Sequence, residues 1–255
     1  MSLVIISLFV LLTVCNAAVP YQFDPRIVNG ESVKLGEIPY QVSLQTKGSE
    51  YHFCGGSVLN ENYVLTAAHC VIEQSYPIEV VAGTVSLDSR TSVHQVEKII
   101  VHAGYNSRDS WVNDIALIKL KTPFVMSRTV APVSLPKVNE VIPNNTPAVV
   151  SGWGDIHLGG PGTKQLLKAK LYIADQAKCK STYGVLGKTV RPTQVCANDP
   201  SVEKGSCNGD SGGPLTVNGK IVGIVSWSMA CALTDYPTVY TRVSSYLDWI
   251  KQTAV

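Results

Sequence analysis

Gly205-Ser206-Cys207-Asn208-Gly209-Asp210-Ser211-Gly212-Gly213-Pro214-Leu215 is the stretch whose reading decides the fold. A serine among so many glycines lies outside regular elements, because glycine supplies positive φ and lets another backbone approach closely. Successive N–H groups in such a turn converge on one point and hold a developing negative charge. Ser211 stands where that charge would form. A hydroxyl is a weak nucleophile until a base removes its proton, so the stretch requires a histidine from elsewhere in the chain. The competing reading is an ordinary Gly-rich turn. The remaining residues decide between the two.

The histidines are His52, His69, His94, His102 and His157, and all precede Ser211. Gly209-Asp210-Ser211-Gly212-Gly213 also fits a strand-turn-helix nucleophile elbow, but that arrangement places its histidine after the serine. An order of aspartate, histidine, serine needs an aspartate before His69. Asp24 is the one available, and a cut after Arg26 would remove it. The order left is histidine, aspartate, serine. His69 lies in Leu65-Thr66-Ala67-Ala68-His69-Cys70, where small residues pack closely and a cysteine can pin the ring. Cys54, in Cys54-Gly55-Gly56-Ser57, can close that loop. Asp114 heads the apolar run Ile115-Ala116-Leu117-Ile118. A carboxylate there is buried and needs partners. A histidine N–H is the partner that would fix a tautomer; a strand cap bonding local N–H groups is the alternative.

Composition bounds the rest. The chain has 255 residues, 45% hydrophobic and 16% charged, which is a globular composition with room for one large domain or two small ones. A net charge of +2 without a Lys/Arg cluster argues against nucleic acid. The apolar run from Ser2 to Val14 is short for a bilayer span and ends in Cys15-Asn16-Ala17-Ala18, so residues 1–17 read as a secretory signal, with a membrane anchor as the alternative. Of seven cysteines, six remain once Cys15 leaves, an even number that suits disulfides in an exported chain. No Cys-x-x-Cys pair and no His-Glu-x-x-His motif is present, so no metal and no cofactor are expected.

After a short segment, residues 18–26, comes Arg26-Ile27-Val28-Asn29-Gly30. A basic residue before two β-branched ones and a turn reads as a cleavage point. The cut creates an α-amino group on Ile27, and a buried ammonium needs an anion, for which Asp210 is the candidate. The alternative is an exposed loop arginine. Beyond Ile27 the chain reads as short strands with frequent turns. They include Tyr40–Gln45, Val64–Ala68, Ile78–Gly83, Val96–Val101, Ile115–Leu120, Ala148–Gly154, Lys168–Tyr172, Pro214–Val217 and Ile221–Trp227. Prolines near residues 121–136 mark a crossover between halves. This spacing reads as all-β barrels or sandwiches. Only the end, with Val243, Tyr246, Leu247, Trp249 and Ile250 on one face, fits a short helix.

Together, Ile27-Val28-Asn29-Gly30, Leu65-Thr66-Ala67-Ala68-His69-Cys70, Asn113-Asp114-Ile115-Ala116-Leu117 and Gly209-Asp210-Ser211-Gly212-Gly213-Pro214 resemble the chymotrypsin-like serine peptidases. The likeness runs from Ile27 to the terminal helix. It implies an all-β fold of two six-stranded antiparallel Greek-key barrels with a short C-terminal α-helix, over residues 27–255. It implies that Ser211 attacks the scissile carbonyl, His69 moves the proton and Asp114 holds His69. It implies an oxyanion hole from the N–H groups of Gly209 and Ser211, ordered by an Ile27–Asp210 pair. It also implies disulfides Cys54–Cys70, Cys179–Cys196 and Cys207–Cys231, and substrate pairing along Ser226, Trp227 and Ser228.

The resemblance places Gly205 at the base of the specificity pocket and Ser228 and Thr238 on its walls. A neutral base does not compensate the desolvation of a substrate Arg or Lys. The expected partners are therefore proteins or peptides cut after apolar residues, chymotrypsin-like or elastase-like, with an activating trypsin-like protease and protein inhibitors. A secreted monomer is expected, with no membrane attachment after signal removal. The alternatives are a trypsin-like protease, opposed by Gly205, and a catalytically inactive homologue that acts as a binding module.

Overall fold

A computed structural model describes residues 27–255, so the signal and propeptide expected at 1–17 and 18–26 lie outside the described residues. The first closed barrel is built from β2 (Gln41–Thr46), β3 (Tyr51–Val58), β4 (Tyr63–Thr66), β5 (Ile78–Ala82), β6 (Ser92–Val101) and β7 (Ala116–Leu120). Its strands hydrogen-bond in the order β2-β3-β4-β7-β6-β5, all antiparallel. The second is built from β8 (Pro147–Gly152), β9 (Leu167–Ile173), β10 (Gln194–Asn198), β11 (Pro214–Val217), β12 (Lys220–Trp227) and β13 (Thr238–Arg242). Here the order is β9-β10-β13-β12-β11-β8, and β8 pairs back with β9 to close the ring. The two-residue strand β1 (Glu31–Ser32) adds to β9 from outside. The fold is thus the pair of six-stranded antiparallel barrels that the family resemblance implied.

The alternation of apolar residues explains each barrel. Val42 and Leu44, Val64, Val80, Ile118 and Leu120 fill the first; Val150, Leu167, Ala169, Leu171, Leu215 and Tyr240 fill the second. Ile27 is fully buried in the second core. Two helices complete the molecule: α1 (Gln176–Gly184), capped by Asp175 accepting from the Lys178 N–H at 2.7 Å, and α2 (Leu247–Thr253). The terminal segment leaves the second barrel and returns to the first, where Val243, Tyr246 and Ile250 pack into its core. Among the described residues no helix is long and apolar enough to cross a membrane.

The sequence reading placed nine of these strands within a few residues and missed β1, β3, β10 and β13, along with helix α1. Strand β3 carries Gly55 and Gly56, which signal a loop locally; a Cβ on Gly56 would stand 2.9 Å from Val64 and 3.0 Å from Val42, so the barrel interior leaves no room for a side chain. Helix α1 buries only Cys179 and Tyr183, too few apolar residues to mark a stripe.

Candidate active site

The site lies between the barrels. Strand β4 ends in a 3-10 turn, Ala68–Cys70, which the Cys54–Cys70 disulfide ties to β3. That turn presents His69. Just before β7, the fully buried Asp114 meets it: the His69 backbone N–H donates to Asp114 Oδ1 at 2.9 Å and the His69 Nδ1 to Oδ2 at 2.7 Å. The Ser226 hydroxyl, from β12 in the second barrel, donates to the same Oδ2 at 2.5 Å, and Thr241 donates to the Asp114 carbonyl at 2.7 Å. A buried carboxylate with three donors is fixed in orientation, and its proton acceptance from His69 places the free imidazole lone pair on Nε2.

Ser211 comes from the loop before β11. Its carbonyl accepts from the Gly55 N–H at 2.8 Å, which ties the loop to the first barrel. Gly212 must be glycine: it has φ +77°, and a Cβ there would lie 2.2 Å from the Thr66 hydroxyl. Ser211 and His69 line one cavity of about 300 Å3, with Trp227, Ser228 and Thr238 on its walls. Gly205 itself does not line this cavity; Ser206, next in the chain, does. The Ser206 hydroxyl lies 3.4 Å from that of Tyr240, whose burial pushes the phenol above its ordinary range. Asp235 stands apart, in a separate cavity with Asp175 and Lys178.

Asp210 is fully buried. Its carboxylate accepts the N–H groups of Gly154 and Cys207, each at 2.9 Å, and packs so tightly on Gly154 that a Cβ there would lie 2.6 Å away. Burial pushes its pKa up to about 7, more than the two N–H donors bring it down. Val28 accepts the Gly205 N–H at 3.2 Å and the Asn29 side chain donates to the Glu203 carbonyl at 2.6 Å. Val28 and Asn29 are therefore bonded to the Glu203–Gly205 segment that leads into the Ser211 loop. The remaining bridges join Cys179 to Cys196 and Cys207 to Cys231. The sulfurs of Cys54 and Cys70 lie near the His69 ring, but being joined to each other they offer no thiolate to a metal.

Sequence reasoning missed three contributors. His52 Nε2 donates to the Gly209 carbonyl at 3.0 Å, while Ser43 donates to its Nδ1 at 2.8 Å. Trp111 stacks on Trp227 at 5.9 Å and walls the cavity. The Ser226 hydroxyl, read only as backbone supplier, holds Asp114. The small residues before it and the cysteine after it marked out His69 among the histidines; nothing local singled out His52. Nothing local in the sequence marked Trp111; in the structure it and Ser110 both take φ of +50°, just before Asn113 and Asp114.

A histidine held by a buried carboxylate, opening with a serine onto one cavity between two β-barrels, defines a class of hydrolytic enzyme. Comparison with known proteins gives the family. The family described as Trypsin matches residues 27–250. "Trypsin-1" of Astacus astacus is 39% identical over 242 residues, covering 90% of this chain and 100% of that relative. "Chymotrypsin-2" of Vespa crabro is 41% identical over 227 residues, covering 89% and 99%. "Serine protease 1" of Rattus norvegicus is 38% identical over 255 residues, covering 97% and 98%. The chain belongs to the trypsin family of serine proteases.

Proposed function

We propose that the protein is a secreted endopeptidase, made as a precursor, that cuts peptide bonds after apolar residues through an acyl-enzyme. The observation that carries this reading is the buried Asp114–His69 pair opening onto the cavity that Ser211 shares. Ser211 Oγ attacks the scissile carbonyl as His69 Nε2 takes its proton. The oxyanion forms beside the N–H groups of Gly209 and Ser211. His69 then protonates the leaving amine, and a water retraces the path to free the acid. Asp114 keeps the ring in the tautomer both steps need and stabilises the imidazolium.

The precursor reading rests on Arg26-Ile27 and on Asp210. Cutting after Arg26 gives Ile27 an ammonium, the cation that a buried Asp210 needs. The apolar preference rests on a cavity whose walls carry Ser228 and Thr238, and on Gly205, beside the lining residue Ser206, standing where the family resemblance puts the residue that sets the pocket's charge. Names among the relatives include both trypsin and chymotrypsin. Gly205 favours the latter type. A neutral pocket also means that the enzyme does not cut after its own Arg26, so a separate trypsin-like protease activates it. Secretion rests on the apolar run that ends at Ala17 and on the disulfides.

The test is direct. Precursor cut by added trypsin is treated with a serine-directed phosphonylating reagent, then freshly cut enzyme is given a mixed peptide library. Labelling of Ser211 and cleavage after Leu, Met, Phe, Tyr or Ala is expected. No labelling points to a binding module; cleavage after Arg or Lys refutes the pocket reading.

A further inference from the structure

Asp114 sits in a turn that is held from outside. The Ile115 N–H donates back to the Asn113 carbonyl at 2.8 Å, and Asn113 takes the left-handed conformation, φ +56°. Such a backbone persists only when its surroundings determine it. Both side-chain polar atoms of Asn113 are engaged. Nδ2 donates to the Gly104 carbonyl at 2.7 Å, and Oδ1 accepts the Tyr246 hydroxyl at 2.9 Å. Gly104 is pinned in turn, its N–H donating to His102 Nδ1 at 3.1 Å, and the His102 ring packs edge-on against Tyr246 at 5.6 Å. Tyr246 is buried and stands one residue before α2. Five residues earlier, Thr241 holds the Asp114 carbonyl. The same returning segment therefore grips two consecutive residues of the turn, one through its side chain and one through its backbone.

The geometry points to Tyr246 as a positioning residue for the reaction: its hydroxyl fixes Asn113, and Asn113 fixes the direction in which Asp114 faces His69. This rests on the peptidase reading above. Without that bond the left-handed turn has one fewer restraint. A small rotation at Asn113 then moves the Asp114 carboxylate against donors that sit within 2.5 to 2.9 Å of it. Displacements near 1 Å at such a site cost up to about a hundredfold in rate.

Tyr246→Phe removes only the hydroxyl. With the best peptide from the library, kcat is expected to fall roughly five- to twentyfold while KM stays within about twofold. The proton that His69 Nδ1 shares with Asp114 gives a resonance far downfield of the amides, and this signal should move or broaden. Loss of thermal stability alone would leave it in place. Asn113→Gly keeps the left-handed backbone but removes both bonds; in that background Tyr246→Phe should add no further loss. A Tyr246→Phe enzyme with unchanged kcat and an unmoved resonance overturns the inference, as do losses that multiply in the double variant. A parent enzyme that cleaves no peptide overturns the peptidase reading, and this inference with it.

Discussion

His52 of the first barrel donates its Nε2 proton to the Gly209 carbonyl of the second at 3.0 Å. The donors behind it are ordered: Gln45 donates to the Ser43 hydroxyl at 3.1 Å, and Ser43 to His52 Nδ1 at 2.8 Å. With Nδ1 accepting, the ring proton must lie on Nε2. The peptide that this bond holds follows directly on the Gly209 N–H assigned above to the oxyanion. On the proposed reading His52 sets the pitch of that donor from outside the cavity, which it does not line. His52→Ala should lower kcat by about tenfold, less than the outright loss of an oxyanion donor, with KM little changed. Steady-state kinetics on the cut enzyme checks this.

The same histidine gives a pH dependence. Burial brings its pKa down from 6.5 to about 4, because the folded interior disfavours the imidazolium. The unfolded chain therefore takes up this proton first on acidification. The neutral ring's contribution is present above the unfolded value near 6.5 and is lost as pH falls from there through 4. The loss amounts to a few kcal/mol at most. Denaturant unfolding at pH 7 and pH 4.5 should show a fall in stability that shrinks in His52→Gln, whose amide can still donate to Gly209. An equal fall in both proteins would assign the effect elsewhere.

Asp210 titrates with the opposite sign. Its folded pKa is raised to about 7 from 3.8, so it binds a proton more readily folded than unfolded. Stability from this group is full below about 4 and is lost as pH rises through 7. An ammonium on Ile27 would cancel that loss by favouring the carboxylate. Melting curves should then show the uncut precursor losing stability between pH 4 and 7, with the cut enzyme nearly flat over that range. Asp210→Asn should flatten the precursor's curve too, and should leave the cut form with activity lower by about a hundredfold, as an unordered oxyanion site implies.

How much of this was legible follows from which signals are local. Alternation in Gln41–Thr46 and the apolar run Ala116–Leu120 marked both as strands, although Gln41, Ser43 and Gln45, which alternation would expose, are buried as well; spacing left barrels and sandwiches open, and the two barrels came from the family resemblance. Strand β3 could not be read, because Gly55 and Gly56 answer to neighbours on β2, β4 and the Ser211 loop, far away in sequence. The same division runs through the site. Ser211, His69 and Asp114 stand in short motifs whose order along the chain excludes other arrangements. His52, Trp111 and Tyr246 act through partners 157, 116 and 133 positions away, and no local pattern encodes such a pairing.

Asp114→Asn separates positioning from folding. The amide keeps the shape of the carboxylate, so the buried turn and its backbone bonds should persist. Yet an amide cannot accept from His69 N–H, Nδ1 and Ser226 together as the carboxylate does. With its NH2 turned to Nδ1, the amide makes that nitrogen the acceptor and moves the ring proton to Nε2. The ring then has no lone pair for the Ser211 proton. A fall in kcat on the order of 10⁴-fold is expected, with a circular dichroism spectrum like the parent's. A variant that keeps more than about a tenth of the activity would show that Asp114 is a strand cap and no more.

Gly205→Asp tests the pocket. A Cβ at residue 205 meets nothing closer than Ala232 at 3.6 Å, so space does not oppose the change. The backbone does: φ is +151°, where a side chain is strained by about 1–3 kcal/mol. A carboxylate there also needs a cation, and the atoms nearest a Cβ at this position, from Ala232 and Leu171, offer none. The variant should therefore melt several degrees lower. It should lose rate on apolar peptides and gain it on peptides with Arg or Lys at the cleaved position, by about tenfold or more relative to the parent. Bound benzamidine, a cation of the right size, should restore part of the lost stability in the variant and none in the parent. If the parent already prefers Arg, or if the variant gains no affinity for benzamidine, then the aspartate does not reach the substrate's side chain and residue 205 does not set the charge of the pocket.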